Sequence, residues 1–163
     1  MIEVLQFFGG VAFLIKEFFK ELLKRPWNGQ LLMEQIFHIG HRSLPLILIT
    51  AISTGMVMTL QFGVGLAKFG GTLYVPRIVT LSIFREMGPV FTSLMLAARV
   101  GAGMASEIGS MTVTQQLDAM RAMATSPIKK IVVPRVLACL ISLPILVAVA
   151  NLLGFFGGLL VGV

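Results

Sequence analysis

Apolar residues fall into four blocks, and the length of each block limits what it can be. In the first, Met1 to Arg25, Phe7/Phe8, Val11, Leu14/Ile15, Phe18/Phe19 and Leu22/Leu23 recur at helical spacing. Between them stand Lys16, Glu17, Lys20, Glu21, Lys24 and Arg25. The uncharged part, Val4 to Ile15, is shorter than the roughly 20 residues that cross a bilayer. The pattern predicts an interfacial amphipathic helix with its basic face toward anionic lipid, closed by Pro26-Trp27-Asn28 with Trp27 as an interface anchor. The positive charges follow the apolar run and no small-residue cleavage site appears, which argues against a signal peptide. Leu31 to Arg42 continues at the interface, so residues 1–42 read as interfacial and 43–163 as the transmembrane domain.

The other three blocks are longer. Leu44 to Ala67 has no charge, with Ser43 placed to cap it and Pro45 in its first turn. Gly55, Gly63 and Gly65 interrupt it, which leaves either a straight span or a bent, partly re-entrant path. Lys68 to Arg77, with Gly70-Gly71 and Pro76, predicts a turn. Ile78 to Ala98 is the second apolar segment and Val136 to Val163 the third, with a kink expected at Pro144. Gly154, Gly158 and Gly162 make two G-x-x-x-G steps on which another helix can pack, either a second copy of the chain or a helix beyond it. The chain stops in apolar sequence.

Between the second and third segments, Arg99 to Arg135 is a polar, small-residue island in which Gly101, Ala102, Gly103, Ala105, Ser106 and Gly109 permit close backbone approach. Thr112 and Gln115 match a capping box. The helix this predicts has Val113, Leu117, Met120 and Ala124 on one side, with Gln115, Gln116, Asp118 and Arg121 largely off it, and ends at Ser126-Pro127. Two readings fit: a docking element for a soluble partner, or an ordinary solvated loop helix. The fold class is an all-α polytopic integral membrane protein, with an N-terminal interfacial helix, membrane segments at about 44–67, 78–98 and 136–163, and the polar region 99–135.

Composition agrees: of 163 residues, 56% are hydrophobic and 12% charged, and the mean hydropathy is +0.94. A net charge of +6 would suggest nucleic acid in a soluble protein. Here the basic residues flank apolar runs, nothing resembles a nucleic-acid-reading module, and no nucleic-acid partner is expected. Lys16, Lys20, Lys24, Arg25 and Arg42 precede the first span, and Arg99, Arg121, Lys129, Lys130 and Arg135 lie between the second and third. Only Lys68 and Arg77 fall in the intervening turn, so the positive-inside rule places the N-terminus and the island in the cytoplasm. Cys139 is the sole cysteine, which excludes a disulfide framework. His38 and His41 lack a third ligand and read as surface imidazoles, so no metal site is expected. No P-loop occurs, so the chain should not hydrolyse ATP and carries no cofactor of its own.

The second segment contains Arg85-Glu86, and ionisable groups in a span cost roughly 2.5–3.5 kcal/mol each. Being adjacent, they point about 100° apart on a helix and cannot simply neutralise each other. Pro89 cannot bond the Arg85 carbonyl, which predicts a kink beside the charges. On a regular helix Arg85 lies on the order of 21 Å from Arg99, toward the far leaflet. There its guanidinium either holds a lipid phosphate or snorkels to the headgroups while Glu86 pairs with another helix. A membrane-embedded ion or proton relay is a further reading of the pair, and a non-transporting scaffold using only the G-x-x-x-G face and the island is another.

The run EIGSMTVTQQLDAMRAMATSPIKKIVVPRVLA resembles the signature of the MlaE/YrbE permease family, membrane subunits of ABC systems that work with mammalian-cell-entry (MCE) domain proteins. The family pattern is roughly A-E-I-G-x-M-x-V-T-E-Q-I-D-A-L-x-x-M-G-x-D-P-I, matched at Glu107, Ile108, Gly109, Met111, Val113, Thr114, Gln116, Asp118, Ala119, Met123, Pro127 and Ile128. Arg85-Glu86-Met87-Gly88-Pro89-Val90 and Ala98-Arg99-Val100-Gly101-Ala102 resemble its R-E-x-G-P-V and G-R-x-G segments. Gln115, Ala124 and Ser126 depart from the usual Glu, Gly and Asp.

The resemblance implies a permease subunit in the bacterial inner membrane and not an enzyme, moving phospholipid or a related hydrophobic substrate. Its implied partners are an ABC ATPase that binds ATP and Mg, an MCE-domain protein, and a second permease copy in a homodimer. It favours Arg85 and Glu86 as substrate-binding residues. It makes the island helix a cytoplasmic coupling helix, with Glu107, Thr114, Gln116, Asp118 and Arg121 as the coupling residues. Glu107 has no nucleophile or metal cluster beside it, so no catalytic residue is expected; it reads as a helix cap or an ATPase contact. Family members are longer, which suggests an N-terminal portion.

Overall fold

The computed structural model describes residues 2–23, 29–123 and 126–162. They form α1 (Ile2–Leu23), α2 (Gly29–Ala67), α3 (Val75–Ser82), α4 (Gly88–Val113), α5 (Gln116–Ala122) and α6 (Val133–Gly162). Short pieces of other helix join them: a 3₁₀ turn at Thr72–Tyr74 and π-helical turns at Ile83–Met87 and Ile128–Val132. Two helices are long and apolar enough to cross a membrane, Gly29–Ala67 and Ile128–Gly162. The predicted break at Pro26-Trp27-Asn28 lies outside the described residues, as does Ala124; the island helix ends at Ala122, ahead of the stop expected at Ser126-Pro127.

Contacts group the chain into two compact units, Met1–Phe37 with Ala105–Leu140 and His38–Met104 with Ile141–Val163. The 42/43 division expected from sequence falls inside α2, which runs unbroken for 39 residues with Pro45 in its interior. Ser43 is therefore not an N-cap. It is buried at mid-helix, where its hydroxyl accepts a hydrogen bond from Arg99 Nη1 at 3.0 Å. An interior proline costs a soluble helix about 3 kcal/mol, but membrane helices accommodate it through neighbouring groups.

The second unit is built on two stripes repeated every fourth position, in which small residues predominate. On α2 the stripe is Ser43, Ile47, Ala51, Gly55 and Thr59, and on α6 it is Ser142, Leu146, Ala150, Gly154 and Gly158. A Cβ on Gly55 would fall on the Gly154 carbonyl, and one on Gly157 would fall on that of Ile52. The helices therefore meet backbone to backbone. The Gly154/Gly158/Gly162 face is thus covered by α2 of the same chain, with Gly162 also against Thr59; the second copy or absent helix expected there is not its neighbour. Nothing in the sequence marked α2 as that neighbour, because its half of the stripe mixes serine, alanine and threonine with one glycine.

On the other side, Val75, Val79 and Ile83 pack with Met58, Phe62 and Leu66 of α2. Hydroxyls in α2 are satisfied by its own carbonyls: Thr54 Oγ1 donates to Thr50 O at 2.7 Å and Thr59 Oγ1 to Gly55 O at 3.0 Å. This back-bonding lets polar side chains face an apolar surround. At the end of α2, Gly70 takes φ +69°. Its N–H reaches Ala67 O while that of Gly71 reaches Leu66 O, a Schellman closure that forms the expected turn.

Both π-helical turns stand one residue before a helix whose second residue is proline. The Gly88 N–H bonds Ile83 O ahead of Pro89, and the Val133 N–H bonds Ile128 O ahead of Pro134. A proline lacks the N–H for the carbonyl four residues back, and its ring crowds that carbonyl. Widening the preceding turn absorbs both defects. The disturbance expected at Pro89 thus takes the form of a π turn containing Arg85 and Glu86.

The α2–α6 contact makes a separable demand on two glycines of one helix. Gly55→Val should destabilise the fold by about 1–3 kcal/mol through overpacking. Gly65→Ala, with open space around it, should be neutral or slightly stabilising. Thermal unfolding followed by circular dichroism in detergent checks both.

Candidate functional site

The island divides differently from the capping-box reading. Helix α4 continues through Arg99 to Val113, and Thr112 lies inside it, its hydroxyl donating to Ile108 O at 2.8 Å. Thr114 Oγ1 likewise donates to Ser110 O at 2.9 Å. With Thr112 already committed to α4, no capping box forms. The break comes at Gln115, which takes the left-handed φ of 55° and precedes α5 without a side-chain cap. For a residue with a Cβ that conformation costs roughly 1–2 kcal/mol. It turns the chain sharply, so Val113 ends α4 with 84% exposure and does not join the apolar side of α5. Leu117 and Met120 do form that side, both half-buried.

Of the anticipated coupling residues, Thr114, Gln116, Asp118 and Arg121 are exposed on or beside α5. Asp118 and Arg121 pair at 3.4 Å across one turn, each side chain at least 70% exposed. Such a surface pair contributes about 0–1 kcal/mol to the fold, so both groups remain available to another protein. Glu107 is placed elsewhere. Its Oε1 pairs with Nη2 of Arg135, whose side chain is only 10% exposed. The carboxylate is the counter-charge of a buried guanidinium, a role the sequence did not disclose because 28 positions separate the two residues.

Behind α5, in the same unit, is a cleft of about 320 Å³, with Gln35, Met111, Gln116, Met120, Lys130 and Arg135 among its lining. In the second unit a cavity of about 390 Å³ lies between the ends of α2 and α6 and the start of α3, with Thr59, Thr72, Thr80, Ile83 and Phe155 in its wall. The open space at Gly63 and the bare Gly158 and Gly162 leave room for it. Arg85 and Glu86 are not in that wall. Both are exposed on the π turn and have no ion-pair partner among the described residues. Gly101, Gly103 and Gly109 on α4 likewise have nothing within 4 Å of where a Cβ would stand. His38 and His41 are exposed, and no group of three metal-ligating side chains occurs among the described residues.

Removing the carboxylate should show what Glu107 does. Glu107→Gln leaves the Arg135 guanidinium buried without a counter-ion and should cost about 1.5–3 kcal/mol, lowering Tm in a detergent melt. An unchanged Tm would assign Glu107 to partner contact alone.

The chain matches the permease MlaE family over residues 32–163. A probable ABC transporter permease protein of Rickettsia felis is 42% identical over 142 residues, covering 87% of this chain and 55% of the relative. A probable ABC transporter permease protein of Synechocystis is 40% identical over 149 residues, 91% of this chain and 57% of the relative. The intermembrane phospholipid transport system permease protein MlaE of Haemophilus influenzae is 36% identical over 167 residues, 99% of this chain and 63% of the relative. The chain thus spans between 55% and 63% of the length of these relatives. With four-fifths of its residues inside the family match, the chain belongs to the MlaE permease family.

Proposed function

We propose that this chain is part of the permease subunit of an MCE-associated ABC transporter that moves phospholipid, driven by ATP and Mg bound to a separate ATPase. The observation that carries the reading is α5: seven residues with none buried, joined through α4 on one side and α6 on the other to long apolar helices. An exposed helix whose polar groups do little for its own fold suits a docking role. Gln116, Asp118 and Arg121 make the grip, with Thr114 beside them; Glu107 supports it by holding Arg135.

In this reading α2, the α3–α4 helix and α6 cross the bacterial inner membrane, with the N-terminus and α5 in the cytoplasm, as the distribution of basic residues favours. Helix α1 lies at the interface, its exposed Phe7, Phe8, Phe13 and Phe19 in the acyl boundary. Arg85 and Glu86, exposed on a π turn within an apolar helix, face a lipid site completed by a second permease copy. There Arg85 holds the lipid phosphate. The open glycine face of α4 gives that copy room to approach. Nucleotide-driven motion of the ATPase pair, pressed on α5, changes access to the site between the copies, and the MCE-domain protein receives or supplies the lipid.

Gentle solubilisation and pull-down of the full-length permease test the docking role. The ATPase should co-purify in stoichiometric amount, and Asp118→Lys combined with Arg121→Glu should reduce its recovery by at least about ten-fold, as expected for about 1.4 kcal/mol or more of lost contact. Recovery of a lone homo-oligomer under conditions that preserve other ABC complexes would instead favour an ion-coupled carrier or a scaffold.

A further inference from the structure

The cleft behind α5 contains a cation, Lys130, that docking does not use. Arg135 is 8% exposed. Glu107 occupies its Nη2, while Nη1 has no hydrogen-bond partner among the described residues. Lys130 stands beside it in the lining, with the amides of Gln35 and Gln116 and the apolar side chains of Met111 and Met120. Among the described residues no carboxylate lines the cleft. Glu107 balances one cation and leaves the other, so the cleft carries a net positive charge, donors on several sides and greasy walls. Its volume of about 320 Å³ is on the order of ten water molecules.

A guanidinium and an ammonium with amide donors form a receptor for tetrahedral phosphate oxygens. The source of the phosphate is indicated by α1, which packs against Ile128–Val132, the turn that carries Lys130. Helix α1 leaves Phe7, Phe8, Phe13 and Phe19 between 57% and 68% exposed, a surface that suits the acyl boundary of a membrane. With α1 at the interface, Lys130 sits at headgroup level. We propose that the cleft formed by Gln35, Met111, Gln116, Met120, Lys130 and Arg135 binds the phosphate of an anionic phospholipid headgroup, at a site separate from Arg85 and Glu86. It rests on the interfacial placement of α1 proposed above; Gln116 and Arg135 are shared with the docking reading, whereas Lys130, the residue the test varies, is not.

The test is native mass spectrometry of the full-length permease in neutral detergent, titrated with phosphatidylglycerol, with phosphatidylcholine, and with inorganic phosphate as competitor. Phosphatidylglycerol should be retained in preference to phosphatidylcholine, whose ammonium meets a cationic cleft. Lys130→Gln should weaken that retention about five-fold, the effect of one lysine at a membrane surface. Lys129→Gln, on the same turn but outside the lining, should have a smaller effect, and inorganic phosphate should displace the lipid. Equal retention of the two lipids, or equal effects of the two lysine variants, would overturn the site in favour of diffuse surface charge. Lys130-dependent binding of inorganic phosphate without phosphatidylglycerol would overturn the lipid source and the interfacial placement of α1, while leaving the docking reading intact.

Discussion

The second unit depends on a contact in which side chains are nearly absent. Where α2 meets α6, Gly55, Gly154, Gly157 and Gly158 bring main chain against main chain. In lipid there is no hydrophobic force to drive helices together, so their association relies on close packing and interhelical polar contacts. A stripe of small residues supplies the first and leaves little tolerance. Val75 and Val79 of α3 close over that pair with Ile83, the first residue of the π turn, which also approaches Gly154.

Polar groups in this setting are handled by local means. Threonine hydroxyls bond carbonyls one turn back in their own helix. Two prolines are preceded by π turns that re-route the hydrogen-bond ladder. Each π turn also carries adjacent charges, Arg85-Glu86 in one and Lys129-Lys130 in the other. Widened turns are common at functional positions, and here each holds two adjacent charged residues directly before a long helix.

Much of this was legible from residue order. Block lengths gave two long apolar helices of the three expected, Gly29–Ala67 and Ile128–Gly162; Gly70-Gly71 gave the turn, and Pro89 marked the disturbed segment. What escaped depended on contacts between distant positions. Ser43 looked like a cap because serine before a Leu-Pro pair usually is one, yet Arg99, 56 positions away, takes its hydroxyl. Thr112 and Gln115 have capping-box spacing, but helix propagation from α4 claimed Thr112 first, and Gln115 became the left-handed link. Glu107 read as a helix cap or an ATPase contact because Arg135, its counter-ion, is far off in sequence. The exposure of Gln116, Asp118 and Arg121 was readable because exposure on a short helix is a local property.

If α5 is the grip of an ATP-driven permease, lipid movement must follow nucleotide. The decisive measurement is transfer of a fluorescent phospholipid by the full-length permease and its ATPase reconstituted in vesicles with the MCE-domain partner. Transfer should require ATP and Mg, and should fall at least about ten-fold with Arg85→Ala, as loss of a charged hydrogen-bond partner of about 1.5–3 kcal/mol would produce. Transfer that proceeds equally without nucleotide, or that is untouched by Arg85→Ala, would contradict the account.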